Sequence, residues 1–250
     1  MKQRTMLRPL YAVPAILLGI ALGLSAQSSQ RSSDVVQTSG GDLRITPISH
    51  ASLMLEFAGK IIHVDPVSQG NYTGLPQADL ILITDIHGDH QDRAKIDQLK
   101  KAGTIVVAPS AVQKTITEAQ VIANGEKKSV AGIEVEGVPM YNLTRGPQPG
   151  TLFHDKGRGN GYVLTLGDKR LYISGDTECI PEMKALRNID VAFVSMNLPY
   201  TMPPGEAAEC AKAFRPKVVY PYHFRGQNPR EFADALQGTP GVEVRIRTWY

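Results

Sequence analysis

Four potential metal ligands lie within six consecutive positions of the sequence, at Asp85, His87, Asp89 and His90. Polar and charged groups at this density are costly to bury unless each has a partner. A metal ion would satisfy all four together, because neutral imidazole nitrogen and carboxylate oxygen are both common ligands. The alternative is a polar surface turn that contains histidines by chance, but the density of ligand types favours a metal site.

The flanking residues predict how these ligands are positioned. Residues 78–83 form an apolar run that is typical of a buried strand. Residues 91–101 have the composition of a helix, with Ile96 and Leu99 three positions apart. Residues 84–90 are therefore predicted to form the turn at the carboxyl end of a strand, where open α/β sheets tend to place their chemistry.

Two further potential ligands also follow predicted strands. Asp176 comes after residues 171–174, and His223 comes after residues 218–222. Taken alone, the Gly-Asp-Thr around Asp176 would be interpreted as a turn, and His223 as a structural histidine. Because three strand ends would deliver ligands to one rim, we favour metal ligation by both residues.

The pattern of elements from residue 42 onward predicts one α/β domain. Several short strands open the chain, and strands then mix with helices. About 210 residues are enough for a single well-formed core. Strands are predicted at 43–48, 53–57, 61–64, 78–83, 104–108, 133–138, 162–166, 171–174, 191–196, 218–222 and 242–247, and helices at 91–101, 110–119, 204–214 and 228–236.

Residues 84–90, the Gly175-Asp176-Thr177 turn and the late His223 together resemble the metallo-β-lactamase superfamily, in its lactonase-like and phosphodiesterase-like branch. The resemblance extends from about residue 43 to residue 223. It implies a four-layer αβ/βα sandwich with a one- or two-metal site, usually zinc, at the rim between two sheets. Position by position, it implies that the ligands include His87, Asp89, His90, Asp176 and His223, with Asp89 and Asp176 also assigned to catalysis.

Two other residues match the family less directly. Asp65, in the segment His63-Val64-Asp65-Pro66, resembles the supporting aspartate near the metal site. His50 resembles an early residue near the pocket. Each of the two either supports the site or simply packs in the core.

The sequence departs from the family pattern at two positions. Asp85 stands where the first histidine belongs, and Asn142 lies where the separate middle histidine is expected. His154, twelve residues later, either replaces that ligand or lines a turn. We therefore expect one tight zinc site and a second, weaker site that suits Mg²⁺ or Mn²⁺. The expected tight site is Asp89, His90, Asp176 and His223, and the weaker one is Asp85, His87, Asp176 and either His154 or Asn142.

The glycine-rich loop at residues 156–161 carries two cations, Lys156 and Arg158, with Arg225 expected opposite. Such cations could bind a substrate carboxylate or phosphate, although a solvated loop is the alternative. Tyr200 is a candidate oxyanion donor. The family resemblance implies attack by metal-bound hydroxide on an ester, lactone or phosphodiester of a small molecule. A β-lactamase, or a metal-binding protein without turnover, stays open as an alternative.

The first residues have the pattern of a secretory signal peptide. Lys2, Arg4 and Arg8 precede an apolar run at residues 10–24, and Leu24-Ser25-Ala26 offers a cleavage site. We therefore expect a signal peptide at 1–26, a flexible leader at 27–41 and a hydrolase domain at 42–250. The mature protein is then periplasmic or secreted, with no membrane attachment after cleavage.

The net charge and the cysteine content bear on nucleic-acid binding and on disulfide pairing. The whole chain has a net charge of +3, and removal of the three cations of the signal peptide leaves the mature chain formally neutral. A neutral chain without a basic run is not expected to bind nucleic acid. Cys179 and Cys210 could pair in an exported protein, but the sequence leaves this open, as it does the oligomeric state.

Overall fold

A computed structural model describes Met1 and residues 32–250. Apart from Met1, the predicted signal peptide lies outside the described residues, as does the first part of the predicted leader, up to residue 31. Within the described part of the chain, no helix is long and apolar enough to cross a membrane.

Two seven-stranded sheets form the centre of the fold, and each keeps its strands in the order of the chain. The first four strands of each sheet pair antiparallel, and the remaining strands pair parallel. The first sheet consists of β1 (Asp34–Thr38), β2 (Gly41–Ser49), β3 (Ser52–Phe57), β4 (Lys60–Val64), β5 (Ala78–Leu82), β6 (Lys100–Ala108) and β7 (Gln120–Val121). The second consists of β8 (Lys127–Val130), β9 (Ile133–Met140), β10 (Gly159–Leu166), β11 (Lys169–Ile173), β12 (Val191–Ser195), β13 (Val218–Tyr222) and β14 (Glu243–Val244).

Helices pack against these sheets, and the whole forms the predicted αβ/βα sandwich. The main hydrophobic core contains buried side chains from both sheets, such as Leu55 and Phe193. A second cluster joins Ile96 and Leu99 to Ile81, so the predicted apolar spacing of the first helix does face the sheet. The helices are α1 (Arg93–Leu99), α2 (Ser110–Gln113), α3 (Pro181–Lys184), α4 (Pro204–Phe214) and α5 (Pro229–Leu236).

Local sequence explains the boundaries of α1 and α4. The Asp92 side chain accepts hydrogen bonds from the backbone N–H groups of Ala94 and Lys95, so it caps the amino end of α1. Pro204 begins α4, where its fixed φ is favourable and its missing N–H costs nothing. Arg215 ends α4 in the left-handed conformation. These two helices follow the predicted ranges closely.

The N-terminal edge of the domain differs from prediction. Residues 27–41 are predicted to be a flexible leader, but Asp34–Thr38 form strand β1. Asp34 Oδ1 accepts a hydrogen bond from Arg247 Nη2 at 2.8 Å, and its Oδ2 accepts one from the Tyr220 hydroxyl at 2.6 Å. These partners lie at the far end of the chain, so local composition gives no sign of them. The domain therefore includes residues before position 42.

Other element boundaries also differ from prediction. The helix predicted at 110–119 is only the single turn α2, and the last strand is only Glu243–Val244. Strand β6 begins earlier than predicted, at Lys100. Strands β7 and β8 and helix α3 are additional, and each is at most four residues long, too short to produce a periodic pattern.

A disulfide bond joins Cys179, just before α3, to Cys210 in α4. The two Cα atoms are 5.5 Å apart, which is within the usual range for a disulfide. Both cysteines are buried, and they anchor the segment after Asp176 to the helix layer. The pairing that the sequence left open is therefore present.

Candidate metal centre

A cleft of about 590 Å³ opens at the rim between the two sheets. Its polar residues follow the carboxyl ends of strands, as the sequence predicts: residues 84–90 follow β5, Asp176 follows β11 and His223 follows β13. The lining residues are His50, His87, Asp89, Phe153, His154, Asp176, Asn197, Leu198, Pro199, Tyr200 and Arg225.

Asp89, His90, Asp176 and His223 converge at the base of this cleft, and we call these four residues the metal centre. His90 Nε2 lies 3.4 Å from Asp176 Oδ2, and His223 Nε2 lies 3.4 Å from Asp176 Oδ1. His223 Nε2 also lies 3.4 Å from Asp89 Oδ2. Ligands at about 2.0–2.1 Å from a tetrahedral zinc ion would be separated by about 3.3–3.4 Å, so these three spacings fit such an ion. Asp89 Oδ1 lies farther from His90 Nε2, at 3.9 Å.

Several buried atoms of the metal centre have no hydrogen-bond partner among the described residues. They are the Nε2 atoms of His90 and His223 and Oδ1 of Asp176, which face one another, and also Nδ1 of His223 on the far side of its ring. Buried polar atoms are almost always paired, because an unpaired one loses its hydration without compensation. The orphaned atoms that face one another point to a ligand that satisfies them together. A divalent cation fits this donor set of two imidazoles and two carboxylates.

Asp65 fixes the orientation of His90 from behind. Its Oδ2 accepts a hydrogen bond from His90 Nδ1 at 2.9 Å, and Thr84 donates to the same carboxylate from its N–H at 2.7 Å and its hydroxyl at 2.6 Å. With the proton of His90 on Nδ1, the lone pair of Nε2 faces the metal centre. Such a carboxylate behind a ligating histidine is a common support for metal ligands. Of the two roles that the sequence left open, Asp65 therefore has the supporting one.

Charge interactions in the metal centre shift the pKa values strongly. Burial alone would lower the pKa of His90, but Asp176 and Asp65 raise it well above its usual value, so a bound cation would displace a proton from Nε2 of this ring. Burial alone would raise the pKa of Asp176, but His223 and His90 hold it well below its usual value. The pKa of Asp89 is also lowered, against the effect of burial, by the neighbouring imidazoles of His223 and His50. The arrangement therefore favours carboxylates in their ionised form.

His50 belongs to the site, although the sequence assigned it no definite role. Its ring stacks on that of His223 with the centroids 3.7 Å apart, and its Nε2 lies 3.3 Å from Asp89 Oδ2. Its Nδ1 lies 2.6 Å from the hydroxyl of Tyr250. Burial, with a contribution from His223, lowers the pKa of His50 to about 4. His50 is therefore neutral near pH 7, and it orients both Asp89 and His223.

Three of these residues have positive φ angles: His50 (51°), Asp65 (44°) and His223 (50°). The left-handed region is uncommon for residues other than glycine, and it costs on the order of 1–3 kcal/mol per residue. Such strain persists only where the surrounding structure imposes it. Its concentration around one cleft is a feature of functional sites.

Asp85 belongs to a second group beside the metal centre. Its side chain is fully buried, and its Oδ2 lies 3.0 Å from His87 Nδ1 and 3.9 Å from His154 Nε2. Arg158 forms a bidentate ion pair with it, at 2.9 Å from Nη2 to Oδ2 and 3.2 Å from Nε to Oδ1. We call Asp85, His87, His154 and Arg158 the Asp85 group. Of the residues predicted as weaker ligands, Asp85, His87 and His154 lie close together, but a cation of the protein already contacts the carboxylate.

The sequence left open whether His154 or Asn142 takes the place of the middle histidine, and in the structure the two residues share this role. The Asn142 Oδ1 atom accepts hydrogen bonds from the backbone N–H of His154 at 2.8 Å and from its Nδ1 at 2.6 Å. The Nε2 atom of His154 consequently faces Asp176 Oδ2 at 3.4 Å, and no described residue hydrogen bonds to it. His154 thus presents the imidazole to the cleft, and Asn142 positions it.

Glu178 positions Asn142 by a hydrogen bond, and the sequence analysis did not identify Glu178 as a site residue. Its buried carboxylate accepts hydrogen bonds from the Asn142 side chain at 3.2 Å and from the backbone N–H groups of Leu143 and Arg145 at 3.1 and 2.7 Å. These bonds hold the pKa of Glu178 below its ordinary value of 4.5, although burial acts in the opposite direction. Its position two residues after Asp176 is the one signal in the sequence that could have suggested a role.

The predicted substrate-binding residues fall into two pairs. Arg225 and Tyr200 line the cleft. Lys156 and Arg158 do not line the cleft. Lys156 Nζ lies 2.5 Å from Glu182 Oε1 on an exposed surface, and Arg158 forms an ion pair with Asp85. Each cation of the 156–161 loop therefore already has an acidic partner in the protein, and substrate binding by these two residues stays a prediction.

Comparison with known proteins gives the family. The family model for the beta-lactamase superfamily domain matches residues 44–223. A UPF0173 metal-dependent hydrolase from Methanopyrus kandleri is 29% identical over 223 residues, which cover 82% of this chain and 95% of that protein. The crystal structure of a protein from Parabacteroides distasonis, named as a metal-dependent hydrolase, superposes with a TM-score of 0.82. The two sequences are 44% identical, and the match covers 86% of this chain and 98% of the other.

A metallo hydrolase from Ignicoccus hospitalis shares the fold at 23% identity and a TM-score of 0.68, covering 82% of this chain and 94% of the other. The chain belongs to the beta-lactamase superfamily, as the residues around the metal centre predict. Within that superfamily it is a metal-dependent hydrolase.

Proposed function

We propose that the protein hydrolyses an ester, lactone or phosphodiester bond of an anionic small molecule outside the cytoplasm, with zinc in the metal centre. The observation that carries this proposal is the set of orphaned buried atoms on His90, His223 and Asp176 at the base of an open cleft. A centre that had only a structural role would have no need of an open, substrate-sized approach.

The donor set supports zinc as the ion. His90, Asp176 and His223 lie close enough together to share one ion, and three imidazole or carboxylate ligands would leave the fourth position of a tetrahedral zinc ion open for water. When bound, such an ion would polarise the bond under attack and lower the pKa of water. The protein holds the ligands ready for it: Asp65 keeps the lone pair of His90 Nε2 directed inward, and His50 contacts Asp89 from the side of the cleft.

Water is the nucleophile in this proposal. The described residues that line the cleft include no serine or cysteine, so a covalent intermediate on such a side chain has no support. Asp89 is partly exposed and has one oxygen shared between His50 and His223. In the proposed reaction its carboxylate accepts a hydrogen bond from the attacking water and orients it, while Asp176 remains buried as a ligand.

The cleft walls support an anionic substrate that also has an apolar part. Phe153, Leu198, Pro199 and Tyr200 provide apolar surface, and Phe153 and Tyr200 pack edge to face with their centroids 5.0 Å apart. Arg225 lines the same cleft, and its guanidinium has no acidic partner among the described residues. An unpaired cation beside a metal centre suits a carboxylate or phosphate of the substrate. Tyr200 remains a candidate oxyanion donor.

Export is part of the proposal. It rests on the signal-peptide pattern of residues 1–26 and is supported by the disulfide between Cys179 and Cys210, since such bonds persist mainly in oxidising compartments. Expression with the native N-terminus, followed by N-terminal sequencing of protein from the cell exterior or periplasm, tests it. The expected new terminus is Gln27, and full-length protein retained in the cytoplasm would contradict export.

The proposed reaction is tested with a substrate panel on the mature protein. The panel pairs carboxylate-bearing and neutral versions of an aryl ester, a lactone and a phosphodiester, and includes one chromogenic β-lactam. We expect turnover of an anionic member, and loss of that turnover in Asp176→Asn. Cleavage of the β-lactam alone would identify a β-lactamase instead. Tight metal binding without turnover of any member would favour a metal-binding role.

A further inference from the structure

The carboxylate of Asp85 is already neutralised by the protein itself. Both of its oxygens contact the guanidinium of Arg158, and the side chain of Asp85 is fully buried while that of Arg158 is 18% exposed. A bidentate arginine–carboxylate pair is directional as well as ionic. An arginine keeps its charge at any ordinary pH, so this cation is permanent.

The charges around the cleft therefore divide into two balanced parts. In the metal centre, Asp89 and Asp176 carry two negative charges that a single divalent ion would balance. In the Asp85 group, the charge of Asp85 is balanced by Arg158. A second divalent ion beside Asp85 would be repelled by the guanidinium, and this repulsion is strong where water is excluded. It would also have to displace a buried ion pair to gain its carboxylate ligand.

Arg158 has a second anchor that keeps it in this position. Its Nη1 donates a hydrogen bond to the backbone carbonyl of Phe153 at 2.8 Å, next to His154. The guanidinium thus ties the loop that carries His154 to the turn that carries Asp85. Rotation of Arg158 away from Asp85 would break contacts at both of these places.

We propose that Arg158 takes the place of a second metal ion, so that the protein is a single-metal hydrolase with a fixed organic cation beside its metal centre. This inference rests on the proposed function for the metal centre itself. Asp85 then serves as the anchor of Arg158 rather than as a metal ligand. The orphaned Nε2 of His154, 3.4 Å from Asp176 Oδ2, then faces the single ion of the metal centre rather than a second one.

The test is a count of tightly bound ions on the mature protein. Zinc-loaded protein is dialysed and its metal content is measured by plasma mass spectrometry, and manganese-loaded protein is measured by electron paramagnetic resonance. We expect about one ion per chain by the charge balance above, with the spectrum of an isolated Mn²⁺. Two tightly held zinc ions, or a spin-coupled manganese pair, would overturn the inference and leave the proposed hydrolysis intact.

Two variants test whether Arg158 is the reason that the protein binds only one ion. Arg158→Met should raise the count to about two ions per chain, because it frees the Asp85 carboxylate for a metal. Arg170→Met is the matched control, since Arg170 pairs with Glu136 on a sheet surface, and it should stay at one. A count of one in folded Arg158→Met would overturn the inference.

A double variant answers the same question if Arg158→Met fails to fold. Asp85→His with Arg158→Met leaves no unpaired buried carboxylate and supplies an imidazole, and it should hold two ions. A count of one in the double variant would overturn the inference. By contrast, wild-type protein that retains no ion at all would contradict the proposed function of the metal centre. The metal content of the wild type therefore distinguishes a failure of this inference from a failure of the proposed function.

Discussion

The side-chain oxygen of Asn142 accepts two hydrogen bonds from His154, one from its backbone N–H and one from its ring Nδ1. The amide therefore sets both the position and the tautomer of an imidazole that faces Asp176. Asn142→Leu removes this acceptor, and we expect hydrolysis to fall by about 10- to 100-fold, as is typical when a ligand-orienting partner is lost. Steady-state kinetics on the substrate found in the panel measures the effect.

The control for this variant is Gln113→Leu, an amide-to-leucine change at the end of α2, where the side chain donates a hydrogen bond to the carbonyl of Ala119. It should leave the rate unchanged. Full activity in a folded Asn142→Leu protein would show that His154 needs no support from Asn142.

Asp65 should control metal affinity without contacting the ion. Asp65→Asn weakens the acceptor for His90 Nδ1, so we expect zinc affinity to fall by about 10- to 100-fold. Competition with a chromophoric chelator measures the affinity. Asp79→Asn is the matched control, because Asp79 accepts a bond from the backbone N–H of Ile61 and pairs with Lys101 away from the cleft. Equal affinities in the two variants would contradict the role of Asp65.

Part of this site is predictable from sequence because it is local. The turn at residues 84–90 and the strand ends before Asp176 and His223 lie next to apolar runs, and the sandwich and superfamily follow from them. The roles of Asp85 and His154 are not local. Asp85 meets Arg158 across 73 positions, so no spacing rule distinguishes a metal ligand from an ion-pair partner there.

The same limit explains two other differences. The 156–161 loop has the composition of an anion site, but Glu182 and Asp85 are brought to its cations by the tertiary fold. Strand β1 is held by the contact of Asp34 with Arg247, 213 positions away. In each case local chemistry is recognisable in the sequence, but the partner is not.

Arg225 should determine the preference for anionic substrates. Replacing it with Met removes an unpaired cation from the cleft wall, and a charged hydrogen bond of about 1.5–3 kcal/mol corresponds to a rise in KM of about 10- to 100-fold. The neutral analogue should show little change. Lys156→Met is the matched control, since Lys156 pairs with Glu182 outside the cleft. If Arg225→Met weakens both substrates equally, the anion assignment is wrong.

Glu178 should link stability to acid pH. Burial opposes its ionisation, but hydrogen bonds from Arg145 N–H and Asn142 lower its pKa below 4.5 in the folded protein. Its ionised form thus stabilises the fold above the unfolded-state value, and this contribution is lost as pH falls through the lowered folded-state pKa. Glu178→Gln should lower the free energy of unfolding by about 1–3 kcal/mol near neutral pH.

Denaturant unfolding from about pH 7 to about pH 3 measures this contribution, and the difference between wild type and Glu178→Gln should shrink towards the acid end. Glu209→Gln, at an exposed position of α4, should follow the wild-type curve at every pH. A constant difference between wild type and Glu178→Gln across the range would contradict the assignment.

The metal content of His223→Ala tests the central claim most directly. His223 and His90 reach Asp176 from opposite sheets, so one ion should depend on both. After dialysis we expect zinc in His223→Ala to fall at least tenfold relative to wild type, with hydrolysis lost. His63→Ala, a buried histidine bonded to the Pro76 carbonyl, should keep its zinc if folded. Unchanged zinc in a folded His223→Ala protein would show that these residues do not form a metal centre.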